Sequence, residues 1–166
     1  VSLSSHIFCS HCSASSPPAR MPGPITKEKL EKLVDNMKRW QRIENAAVAQ
    51  TSKIMEETEH PLIRLVAEII QRDSNIHHRV QQAIIDSIER ENINVFYDDL
   101  EKIWDSVEKH ILIEKKTIEL ARGSLAALEG TKHPVQQYLL AYLLHDEQKH
   151  DKLLSDLELV KKRMYP

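Results

Sequence analysis

His60-Pro61 is followed by Asp73 and His77, and His133-Pro134 is followed by Asp146 and His150. In both copies the Asp stands twelve residues after the Pro and the His four after the Asp. Each copy is preceded by a glutamate, Glu44 or Glu114, within an apolar-periodic stretch. A phrase repeated at this spacing commits the two halves of the chain to one local structure. Packing alone gives no reason to repeat residue types that ligate metals.

From Pro24 onward the apolar residues follow a period of 3.6 through four segments of about 30 residues, the signature of long amphipathic helices. Three glycines, 5% aromatics and an abundance of Leu, Ile, Glu and Lys suit helices and leave little turn chemistry for a sheet. The first helix is expected from an N-cap at Thr26 to Glu59, the second from Pro61 to Glu91, the third from Val95 or Tyr97 to Glu129, and the fourth from Pro134 to the C-terminus. Pro61 and Pro134 fit the first turn, where no intrahelical N–H bond is lost. Asn92-Ile93-Asn94 and Gly130-Thr131-Lys132 are the breaks. The expected fold is all-α, an antiparallel four-helix bundle over residues 25–166, built from two repeated helical hairpins. About five residues join the second and third helices and reach at most ~18 Å, against a helix of ~45 Å, so the order is expected to be up-down-up-down.

Projection at 100° per residue puts a polar break near the middle of each apolar stripe. Glu44 interrupts Met37 and Val48; Asp73 and His77 lie with Ile69, Ile76 and Val80; Glu114 interrupts Ile111 and Ile118; Asp146 and His150 lie with Tyr142 and Leu153. At about 1.5 Å rise per residue, all six polar residues fall roughly 18–28 Å from their hairpin loops, in one layer. Four carboxylates in an apolar layer need partners, and no Lys or Arg sits at a stripe centre to supply them. Two divalent cations would balance four carboxylates and two neutral imidazoles, and mixed oxygen and nitrogen ligation suits iron, manganese or zinc. The expected metal ligands are Glu44, Asp73, His77, Glu114, Asp146 and His150. A polar layer whose His–carboxylate hydrogen bonds fix helix register is the rival reading. The other histidines, His110 among them, project off the stripe centres and read as surface or capping residues. Trp40, Gln41 and Tyr142 lie within about a turn of the layer, placed to support ligands.

On these residues the chain resembles the ferritin-like di-iron carboxylate proteins, whose pattern is a Glu on each of two helices and Glu-x-x-His on each of the other two. The resemblance spans residues 26–165. Glu44 and Glu114 resemble the single-helix glutamates, and His77 and His150 the two histidines. The fourth helix carries a literal Glu147-Gln148-Lys149-His150, whereas the second has no Glu-x-x-His. Asp146 is nearer the stripe centre and is matched by Asp73, so Asp-x-x-x-His is favoured on both helices, with Glu147 as substitute or supporting ligand. The resemblance implies two iron ions and oxidation of the ferrous centre by oxygen or peroxide, a ferroxidase, scavenging or iron-handling role. The alternatives are a metal-binding or sensory bundle without turnover, and a metal-free interaction bundle.

A formal charge of −2 with both signs interspersed offers no basic field for nucleic acid, and no stretch approaches the roughly twenty apolar residues of a membrane span. Residues 1–24 read as a flexible extension without the basic and apolar regions of a signal peptide, which points to the cytoplasm. Its Cys9-Ser10-His11-Cys12 is half of a zinc-knuckle pattern with no second half. Lys161, Lys162 and Arg163 read as complements to the last helix's dipole. Outward apolar positions such as Ile43, Leu112, Leu120 and Leu159 are compatible with a homodimer.

Overall fold

The computed structural model describes residues 25–90 and 97–164. The chain is all-α, with four helices: α1 (Lys27–Glu57), α2 (Pro61–Glu89), α3 (Tyr97–Ala127) and α4 (Pro134–Met164). They fall into two compact units, one holding α1 and α2 and the other α3 and α4. Each unit is an antiparallel helical hairpin. The 1–24 extension with Cys9 and Cys12, the break at 92–94, Val95, and the side chains of Lys161, Lys162 and Arg163 lie outside the described residues.

Local chemistry sets the helix ends. Thr26 is extended and its hydroxyl accepts from the Lys29 N–H at 3.4 Å, one of the orphan donors of the first turn. α1 stops two residues before the expected Glu59, at Glu57, because the chain must become extended ahead of Pro61: His60 has ψ 117°. The Arg64 guanidinium reaches back to the carbonyls of Met55 and Thr58, satisfying acceptors that the end of α1 leaves open. α3 likewise ends at Ala127, followed by three-residue bonds from Leu128 N to Leu125 O and from Glu129 N to Ala126 O. Gly130 then takes φ +71°, a left-handed backbone that glycine adopts without strain.

In the first hairpin an apolar cluster of Val34, Met37 and Ile85, flanked by Leu33, Ile84 and Ile88, lies far from the loop. Toward the loop the seam turns polar. The Gln41 amide donates to Gln82 Oε1 at 3.0 Å and to the His78 carbonyl at 3.3 Å, and the Gln71 amide donates to Ser52 Oγ at 2.7 Å and the Val48 carbonyl at 3.3 Å. Glu44, Thr51, Ser74 and Gln81 are buried within this polar half. In the second hairpin the buried residues are Leu100, Val107, Ile118 and Ala121, with Glu114 among them.

Several stripe residues expected in a core are half exposed or more, including Ile76 (51%), Val80 (53%), Ile103 (50%) and Leu153 (61%). One neighbouring helix covers one flank of a stripe that is more than 100° wide, and these residues occupy the other flank.

Candidate metal centre

α3 brings Glu114 to the seam of the second hairpin, where α4 presents Asp146, Glu147 and His150. Glu114 is 6% exposed, so its charge lacks bulk water. Its Oε1 lies 3.0 Å from Nε2 of His110, one helical turn earlier, and its Oε2 lies 3.8 Å from Nδ1 of His150. That Oε2 is buried and accepts no hydrogen bond. It faces the carboxylate of Glu147, whose Oε2 is also 3.8 Å from His150 Nδ1. The Thr117 hydroxyl stands 3.0 Å from Glu147 Oε2 and 2.8 Å from the Glu114 carbonyl oxygen.

Among the described residues, Glu114, Glu147 and His150 are the group whose ligand atoms lie within 4.8 Å of one another and could hold a metal ion. Two carboxylates and an imidazole, one carboxylate oxygen being buried and unbonded, fit a divalent cation chemically. Beside them an open groove of about 350 Å3 is lined by His110, Glu114, His150, Leu153 and Leu154.

Asp146 sits differently. Its carboxylate is ion-paired with Lys149 and accepts from the Tyr142 hydroxyl at 3.3 Å, and its Oδ2 is 3.8 Å from the other imidazole nitrogen, Nε2 of His150. Tyr142, one turn before Asp146 on α4, thus holds this carboxylate from the same helix. The geometry gathers the literal Glu147-x-x-His150 spacing around Glu114 and places Asp146 on the far edge of the imidazole.

In the first hairpin Glu44 is 7% exposed, and its Oε1 lies 3.4 Å from Nδ1 of His77. Asp73, half-buried, lies one turn before His77 on α2. Glu44 with His77 and Glu114 with His150 therefore meet in their own hairpins. His110, read from the sequence as a surface or capping residue, contacts Glu114 at the edge of this group without entering it. Its spacing of four residues before Glu114 was the available signal, since residues four apart share a helix face.

Charge crowding shapes the titration of the second site. The hydrogen bond shared with Glu147 and the loss of water around it hold the Glu114 carboxyl above the ordinary glutamate range, against the opposing pull of His150 and His110. The same bond, helped by Thr117 and His150, holds Glu147 below that range despite burial. Burial would raise Asp146, but Lys149, His150 and Tyr142 outweigh it and hold the carboxyl low.

A raised carboxyl binds its proton more tightly in the folded chain. The stability it contributes is full below the ordinary glutamate value and lost as pH rises through the raised one. Glu147 and Asp146 work the other way, contributing above their ordinary values and losing that contribution as pH falls through their lowered ones. In chelator, the urea midpoint of the metal-free chain is therefore expected to decline on the alkaline side of the ordinary glutamate value. Glu147→Gln should flatten this decline, and an unchanged slope in the variant would refute the influence of Glu147 on the Glu114 carboxyl.

No protein family, curated protein or solved structure matches the chain. No helix among the described residues is long and apolar enough to cross a membrane.

Proposed function

We propose that this chain is a carboxylate- and imidazole-ligated iron protein of the ferritin-like kind, acting in redox or iron handling with oxygen or peroxide as the oxidant. The observation that carries the reading is the convergence of Glu114, Glu147 and His150 on one point, with a buried Glu114 oxygen that accepts no hydrogen bond. Glu44, Asp73 and His77 form the second ligand set.

Bound iron would supply one electron per ion, passing from ferrous to ferric, to oxygen or peroxide. The chain's residues favour that direction. Glu114 and Glu147 place two carboxylates beside the ion, and negative ligands stabilise the more positive state. Thr117 orients Glu147 by a hydrogen bond, while Lys149 and Tyr142 fix Asp146 against the far side of the His150 ring. Three protein ligands leave coordination positions for a small oxidant, and the groove beside His150 gives access to them.

Anaerobic loading of the full chain with Fe(II), followed by air, is the test. The expected result is about two irons per chain, as in di-iron bundles, and a near-ultraviolet band that grows on oxidation. Iron that is held but stays ferrous would make this a non-catalytic metal holder. A chain that binds no iron, zinc or manganese would be an interaction bundle, and the reading would fall.

A further inference from the structure

The two copies of the repeat match at Glu44 and Glu114 and at His77 and His150, and they differ at two positions one helical turn before these residues. Four residues before the glutamate the first copy has Trp40 and the second His110. Three residues before the histidine the first copy has Ser74 and the second Glu147. We propose that the hairpins are unequal metal sites: α3 and α4 hold an ion tightly through Glu114, Glu147 and His150, with His110 bracing Glu114 from outside the ligand group, and α1 and α2, with Trp40 and Ser74 in the matching places, hold one weakly.

Three observations carry this. The His110 Nε2 lies 3.0 Å from Glu114 Oε1, a hydrogen-bonding distance that fixes the carboxylate and leaves its other oxygen turned toward Glu147 and His150. The buried Glu114 Oε2 accepts no hydrogen bond and points at the carboxylate and imidazole of α4, so an ion there satisfies an atom that the fold leaves unsatisfied. His110 and His150 also line the same groove, so an ion reaches the Glu114 carboxylate without crossing a packed core. In the first hairpin the position of Glu147 is taken by Ser74, buried at 5% exposure, and the position of His110 by Trp40, whose indole cannot ligate. What is left is Glu44 and His77, 3.4 Å apart, with Asp73 as the only further donor of the repeat.

The inference rests on the metal-binding reading, and Co(II) titration separates the two. The full chain is used with Cys9→Ser and Cys12→Ser, so that thiolates do not compete, and binding is followed by the visible bands of Co(II) and by calorimetry. The expected result is one ion bound first, with His110→Ala weakening it by about tenfold or more, within the 10–100-fold range for loss of a supporting group, and changing the band intensity. Trp40→Ala and Ser74→Ala should leave that first ion unchanged. Helicity by circular dichroism should be equal in the His110→Ala and Trp40→Ala variants, because both side chains are half exposed or more, and in Ser74→Ala, which removes only a hydroxyl. A first ion whose affinity and spectrum are indifferent to His110→Ala overturns the unequal-site proposal while leaving the metal reading intact. A chain that takes up no Co(II) overturns both.

Discussion

Replacing Glu114 with Ala is expected to lower the affinity for the most tightly held ion by more than about 100-fold, beyond the upper end of what loss of an outer partner costs. Glu114 is the hub of the second hairpin's site. His110 meets one of its oxygens, His150 approaches the other, and the neighbouring Glu147 carboxylate holds its carboxyl above the ordinary range. With the carboxylate gone, the remaining donors no longer converge. The metal-free chain should respond with the opposite sign. In chelator, Glu114→Leu removes a buried carboxyl crowded by Glu147 and replaces it with an apolar side chain of similar volume, which is expected to raise stability by roughly 1 kcal/mol or more. Urea denaturation with and without metal reads both arms. If Glu114→Leu destabilises the metal-free chain, the glutamate serves packing or register and its role as a ligand fails.

Ile85→Ala should cost roughly 2–4 kcal/mol in the first hairpin, the range for truncating a buried branched side chain. Ile85 is 2% exposed and closes the cluster with Val34 and Met37 at the end of the hairpin far from the Pro61 loop. The rest of that seam is held by glutamine and serine hydrogen bonds, which contribute about 1 kcal/mol each net, so this cluster carries a large share of the hairpin's stability. Ile43→Ala is the control. Ile43 is 65% exposed, and its loss should change stability by less than about 0.5 kcal/mol. Denaturant midpoints of equal size for the two variants would contradict the placement of the core.

Much of this architecture is legible in the residues. Thr26, Pro61 and Pro134 mark helix starts by the backbone groups they satisfy or do not need, and the pairings of Glu44 with His77 and of Glu114 with His150 follow from the repeat and the helical rise. The choice between Asp146 and Glu147 does not follow. They are neighbours about 100° apart on α4, and the extra methylene of Glu147 lets it reach Glu114 from off the stripe centre, while Lys149, three residues after Asp146, engages the shorter carboxylate. His110 is hidden for a related reason. A projection that ranks positions by apolar neighbours discards a ring that is largely in water, although its tip meets a buried oxygen. The exposed flank at Ile76, Val80 and Leu153 is beyond reach of the same projection, which shows the width of an apolar stripe but not which part of it a neighbour covers.

Both hairpins pair helices that follow directly in the chain, across residues 58–60 and 128–133. Short loops carry a small closure entropy, and contacts between sequence neighbours place folding in the microsecond-to-millisecond regime. Each glutamate therefore meets its histidine as its own hairpin zips, without waiting for distant parts of the chain. A refolding chain would present ligands to an ion within that time, and metal present from the start would favour the zipped hairpin over the open one by mass action.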